Sequence, residues 1–108
     1  MKYFTIKKVA SENPQGFTFD IRCMRMVRSG KVAAYKATQD SIGNEGLTRV
    51  LVHAMLHDGI VGGWLNAQGE MQYDSCRLFT DLDECLQFGR EQEQLAIYDL
   101  DTETQYDL

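Results

Sequence analysis

Ile60-Val61-Gly62-Gly63-Trp64-Leu65 is a short apolar run, and Glu70-Met71-Gln72-Tyr73-Asp74-Ser75-Cys76-Arg77-Leu78-Phe79 is a second strand-like one. Between them, Asn66-Ala67-Gln68-Gly69 has turn composition and ends in glycine. Two such runs around four turn residues read as a β-hairpin. Upstream of the hairpin, Leu47, Val50, Leu51 and Ala54 recur at i, i+3, i+4 and i+7, with Met55 beside them. This spacing predicts an amphipathic helix from about Asn44 to His57, capped by Asn44 and ended by Asp58-Gly59. Downstream, Asp81 and Glu84 have the spacing of a capping box. Leu82, Cys85, Leu86 and Gly89 then share one helical face to about Gln92.

Further out, Lys31 to Ala37 reads as a strand with Val32 and Ala34 on one face. Leu95 to Leu100 reads as another. From Lys31 to Leu100 the order is β-α-β-β-α-β, that of a split βαβ, ferredoxin-like unit with two helices on one face of an antiparallel sheet. Before it, Phe17, Phe19, Ile21 and Cys23 alternate with polar residues after the turn sequence Asn13-Pro14-Gln15-Gly16. That period predicts a half-buried strand. Lys2 to Val9, with Phe4 and Ile6 alternating, reads as a shorter one. A tail strand near Leu108 follows the turn Asp101 to Thr104. The expected fold is one α+β domain over residues 1–108: a ferredoxin-like core extended by N-terminal strands.

Composition narrows the class. The 108 residues are 44% apolar and 25% charged, which excludes a disordered or low-complexity chain. No apolar run is long enough to span a membrane. The first eight residues carry no signal-peptide pattern. Cys23, Cys76 and Cys85 are odd in number and widely spaced, which argues against a disulfide framework or a zinc site. Buried, reduced thiols and a cytoplasmic setting are expected.

The net charge of -5 conceals a gradient. Residues 1–36 hold eight basic residues (Lys2, Lys7, Lys8, Arg22, Arg25, Arg28, Lys31, Lys36) against Glu12 and Asp20, a balance of +6. Residues 81–108 hold Arg90 against nine acidic residues, a balance of -8. Two readings follow: the ends pair across one sheet, or they face different partners.

Several groups could carry chemistry. Tyr73, Asp74 and Arg77, with Trp64 across the hairpin, form the best candidate binding site. Period two puts Asp74 on one face with Cys76 and Leu78, where a carboxylate is either partnered or raised in pKa. Tyr73, Ser75, Arg77 and Phe79 take the other face. Trp64 is either a recognition platform or a cover for the core. His53 and His57 are spaced to share a metal but lack the glutamate of HExxH. With Glu45 and Arg49 they read as a solvated helix stripe, so no metal and no cofactor are expected. Arg22, Arg25, Arg28 and Lys31 are candidate phosphate contacts. Glu91, Glu93, Asp99, Asp101, Glu103 and Asp107 could instead imitate nucleic acid.

Gly62-Gly63-Trp64, Tyr73-Asp74-Ser75-x-Arg77-x-Phe79, Asp81-x-x-Glu84, Gly89-Arg90-Glu91 and Gln94-x-Ala96-Ile97-Tyr98-Asp99-Leu100 form a pattern over residues 30–100. It resembles small uncharacterised proteins encoded by bacteria, phages and conjugative elements. The resemblance implies a bacterial cytoplasmic setting and a mobile genetic element. It implies no reaction, cofactor or catalytic residue. The expected function is a non-enzymatic binding or protein-interaction module, with a protein partner or a homodimer and no membrane. The alternative is a nucleic-acid-directed protein, as a basic-patch binder or an acidic DNA mimic. A small enzyme using Asp74 or His53 is a third reading, and it requires a concave pocket.

Overall fold

The computed structural model describes residues 2–108; Met1, part of the N-terminal reading above, lies outside them. The elements are α1 (Lys2–Glu12), β1 (Phe17–Asp20), β2 (Arg25–Met26), β3 (Lys31–Ala34), β4 (Ser41–Ile42), α2 (Gly43–Leu56), β5 (Ile60–Leu65), β6 (Met71–Phe79), α3 (Leu82–Glu91), β7 (Ala96–Asp99) and β8 (Thr104–Asp107). A 3-10 turn at Lys36–Thr38 separates β3 from β4. The strands form one open antiparallel sheet in the order β2-β1-β5-β6-β3-β7-β8, with β4 also pairing to β6. The fold is therefore α+β, with three α-helices among the described residues.

The β5–β6 hairpin lies near the middle of this sheet, pairing Val61 with Ser75, Gly62 with Asp74 and Trp64 with Gln72. Its turn is held by the Asn66 side chain, whose Oδ1 accepts the N–H groups of Gln68 and Glu70 at 2.9 Å each. Alternation along β6 directs Tyr73, Ser75, Arg77 and Phe79 to the helix-covered face, and Asp74, Cys76 and Leu78 to the other. On the first face, Ile6 and Ala10 of α1 and Leu47, Val50, Leu51 and Ala54 of α2 pack on Phe17, Phe19, Val61 and Tyr73. The Phe17 ring occupies the space that a side chain at Gly63 would fill. α3 closes the same face farther along, with Cys85 on Ala33 and Ile97. Asp81 caps it, accepting the Glu84 N–H at 3.0 Å.

The second face carries a strap instead of a helix. The Val27 N–H donates to Thr18 on β1 at 2.8 Å, and the Gly30 carbonyl accepts from Leu100 just past β7 at 2.8 Å. Two strands, β5 and β6, lie between β1 and β3. Three strand spacings amount to about 14 Å, the reach of about four extended residues. Residues 27–30 thus cross the sheet almost straight. Val27 packs on Val32, Ile60 and Cys76, which explains how these residues are buried on a face without helices.

Four local expectations are corrected. Lys2–Val9 is not a strand but the body of α1. Tyr3, Ile6 and Ala10 are three and four residues apart, so a helix gathers them on one side and leaves Phe4 65% exposed. Asn44 does not cap α2: Ile42 takes the cap position, and Asn44 Oδ1 accepts from Lys7 Nζ at 3.1 Å, tying α1 to α2. Cys23 is exposed, because β1 ends at Asp20, whose carboxylate accepts the Arg22 and Cys23 N–H groups and turns the chain. Finally, β3 stops at Ala34, where Tyr35 leads into the 3-10 turn.

The strand order answers the charge question. β2 and β8 are opposite edges, but β3 of the basic third lies against β7 of the acidic third, with Lys31 opposite Asp99, so the two thirds meet across the sheet there. Their contacts are local: Lys31 pairs with Asp101 at 2.9 Å and Lys36 with Glu93 at 2.6 Å.

Candidate functional site

The hairpin residues singled out from sequence are divided between the two faces. Trp64 lies on the strap face near the end of β5, 46% exposed, beside Gln72. Asp74 is on that face too, its carboxylate lying over Gly62, where a Cβ would collide with Oδ1. Part of the residue reaches solvent, but the carboxyl itself sits mid-sheet. Burial pushes its pKa up, against the opposing hydrogen bond from Cys76. The Cys76 thiol donates to Oδ1 at 2.9 Å. Burial first, and then the adjacent carboxylate, hold that thiol well above its ordinary pKa, so it stays protonated and unreactive. Tyr73 and Arg77 are on the helix face, where Tyr73 is part of the core. Trp64 and Asp74 therefore belong to one surface, and Tyr73 and Arg77 to another.

Arg77 joins a cluster assembled from five elements and connections. Tyr35, just after β3, donates its hydroxyl proton to Asp58, just after α2. Burial and this bond push the Tyr35 phenol up to about 12. The Arg77 guanidinium lies over the rings of Phe79 and Phe88, at 5.5 and 5.6 Å. The Tyr35 ring packs on His53, His57 and Phe88 at 4.8, 5.1 and 5.2 Å. His53 Nδ1 shares a hydrogen bond of 2.8 Å with the buried Ser75 hydroxyl. Burial and the neighbouring His57 lower the His53 pKa, which favours the neutral ring. The Ser75 N–H in turn donates to Thr38 Oγ1 at 3.0 Å.

The stripe Glu45, Arg49, His53, His57 is thus not a uniformly solvated face. Arg49 donates to the buried Ser41 hydroxyl, and His53 turns onto the sheet. His57 stacks on His53 with ring centroids 3.8 Å apart and planes 5° apart, so their nitrogen lone pairs run side by side rather than converging on one ion. Among the described residues, no three His, Cys, Asp or Glu side chains are grouped to hold a metal. Tyr35, Asp58, Ser75 and Phe88 were not singled out from sequence. They are scattered along the chain and meet only through the sheet order.

The basic candidates are not one free patch. The Arg22 guanidinium donates to the His57 carbonyl at 2.5 Å, and Lys31 is bound to Asp101. Arg25 and Arg28 are exposed. Of the acidic set, Asp99 is buried, and Asp101 accepts from the Gly30 N–H as well as from Lys31. Two surface depressions are lined by Ser29, Gly30, Leu78, Phe79, Thr80 and Asp101, and by Asn44, Glu45, Thr48 and Arg49. Neither includes Trp64, Asp74 or His53.

The most exposed apolar grouping on a single element is on α2. Val52, Met55 and Leu56 are 51%, 54% and 77% exposed. Their spacing of i, i+3 and i+4 places them within about one turn on the side away from the buried Leu47, Val50, Leu51 and Ala54. The signal was present in the sequence as a second apolar stripe, hidden by the stronger first one. No helix among the described residues is long and apolar enough to cross a membrane. No protein family, curated protein or solved structure matches the chain.

Proposed function

We propose that the protein is a non-enzymatic interaction module that docks a protein partner on the outward side of α2. The observation that carries this reading is the exposed triplet Val52, Met55 and Leu56. A helix whose outer side met only water would carry polar residues there, and a contiguous apolar patch on a helix is a common docking element. Methionine suits such a surface because its flexible thioether adapts to a partner. The other readings have less behind them. The phosphate-binding set has two of its four members engaged, and the acid-mimic set has Asp99 inside the fold. Asp74 is bound to a thiol, away from both depressions, which gives an enzyme little to work with. The central order β7-β3-β6-β5, with α2 and α3, supports a ferredoxin-like core, a fold that hosts many functions and determines none. The bacterial, mobile-element setting implied by the resemblance is part of the same proposal.

A photo-crosslinking residue at Leu56, in cells that natively make the protein, tests the reading. The expected result is a discrete adduct that disappears when Val52→Glu is added and does not form from Gln87 on α3. Equal labelling from both positions, or an adduct indifferent to Val52→Glu, would overturn it.

A further inference from the structure

The strap covers only part of its face. Val27 packs on Val32, Ile60 and Cys76. One step beyond Cys76 on the same face of β6 is Asp74, and a further step brings Gln72. Gln72 is opposite Trp64 on β5 and opposite Ile42 on β4, and both of these are part exposed. Gly62, opposite Asp74, contributes no side chain. Asp74 and Trp64 are thus diagonal neighbours on adjacent strands, about 7–8 Å apart at the backbone.

The side chains here have hydrogen-bonding capacity that the protein does not use. Asp74 Oδ1 accepts from Cys76, whereas Oδ2 has no partner among the described residues and reaches the surface. The Gln72 amide and the Trp64 indole N–H are likewise unbonded among the described residues, and neither a ring nor a cation packs on the indole. Ser75, on the opposite face, is networked from several sides by comparison. The charge is one-sided as well. Arg77 is the only basic residue of β4, β5, β6 and the hairpin turn, and it is on the helix face. Exposed Glu70 stands just before β6. Burial and Cys76 alone act on the Asp74 carboxyl, so no Lys, Arg or His of the described residues compensates it.

We propose that Trp64, Gln72 and Asp74 bind a primary alkylammonium group, the ammonium on Asp74 and Gln72 and its alkyl body over the indole. A cation fits because a carboxylate withdrawn from water lacks a counter-charge, and a neutral ligand would leave it so. An ammonium bearing N–H groups fits because Asp74 Oδ2 and Gln72 Oε1 are two acceptors on one strand. A quaternary ammonium donates no hydrogen bond and is held by a cage of several aromatic rings, whereas one indole stands here. The alkyl body fits because Trp64 and Ile42 flank Gln72 with apolar surface, and the indole face also attracts the cation. A free amine and a lysine side chain present this same group. The site is on the sheet, and the reading is independent of α2.

The test titrates the full chain with n-pentylammonium. Trp64 is the only tryptophan, so its fluorescence reports the site directly. A saturable change in the millimolar range is expected, with n-pentanol and pentanoate at least about tenfold weaker. Asp74→Asn keeps the side-chain shape and should weaken binding about tenfold. Gln72→Ala, a second variant should the first fail to fold by circular dichroism, should weaken it several-fold. Trp64→Leu, followed by saturation-transfer NMR of the amine, should weaken it too. Asp107→Asn, which removes an exposed carboxylate on β8, should change nothing. Lysine blocked at both ends separates the sources: binding equal to that of n-pentylammonium assigns a side chain, and weaker binding a free amine, and either upholds the class. Equal binding of n-pentanol overturns the cation. An unchanged affinity in Asp74→Asn, an equal loss in Asp107→Asn, or no saturable change overturns the site.

Discussion

Asp74 and Ser75 are neighbours on β6, yet they live in different chemical environments. Ser75 is on the face roofed by helices, and its polar groups are satisfied from several directions: His53 from α2, Thr38 from the 3-10 turn and, through its carbonyl, the Tyr35 N–H at 2.8 Å. Asp74 is on the face crossed only by a short strap. It has one thiol partner and a glycine opposite, and it retains some contact with water. The difference teaches how burial sets polar design. Under the helices an unpartnered group would cost about 1–3 kcal/mol, so the groups are networked. Under the strap, the carboxyl persists with a single thiol partner and a pKa raised by burial instead.

The glycines of β5 offer the sharpest way to break this contrast. Gly63→Ala forces a methyl group into the Phe17 ring beneath α1 and α2. We expect a loss of about 3 kcal/mol, read as a lower urea midpoint. Gly62→Ala meets the Asp74 carboxylate instead, which can swing toward the strap, so about 1–2 kcal/mol is expected. Equal losses would show that the two faces are equally rigid.

Ser75→Ala leaves His53 Nδ1 without its partner in a part-buried site. The expected cost is about 1–2 kcal/mol. A cost near zero would mean that water replaces the hydroxyl and that the helix face is more open than its packing indicates.

The two faces should also titrate in opposite senses. Burial and His57 lower the His53 pKa, so the folded state binds fewer protons there than the unfolded chain. Stability is then lost as pH falls below about 6.5, and His53→Gln should flatten that limb. Asp74 has a raised pKa, so the folded state holds its proton more strongly. Its penalty grows as pH rises above about 4 and is complete once pH passes the folded value. Asp74→Asn should therefore stabilise the protein at neutral pH and remove that decline. Denaturation series between pH 4 and 8 check both; a shared direction would break the comparison.

The smallest effect is expected outside both faces. Leu56→Ser on α2 should change stability by no more than about 0.5 kcal/mol, because the side chain touches little in the folded chain. A larger loss by thermal denaturation would assign Leu56 to the fold and remove it from the docking surface.

Much of the fold was legible in the sequence because its signals are local. The hairpin turn, the capping aspartate of α3 and the apolar period of α2 each need only residues a few positions apart. α1 was misread because Phe4 and Ile6 satisfy a period of two as well as Tyr3, Ile6 and Ala10 satisfy a helical one, and only burial chooses between them. Of the candidate site, the split of β6 into an Asp74 face and an Arg77 face was legible from alternation. The Tyr35–Asp58–Arg77 cluster was not, because no pattern links residues 35, 58, 77 and 88 before the strands are ordered.

The sequence by itself determined the element types of the central region, the two faces of the hairpin and the charge gradient along the chain. These depend on periodicity and composition, which are properties of near neighbours. Only the tertiary structure decided that β3 of the basic third lies against β7 of the acidic third, that residues 27–30 strap the second face, and that Val52, Met55 and Leu56 remain uncovered. Each of these depends on which strands pair across long chain separations, and pairing is chosen by the burial of the whole core.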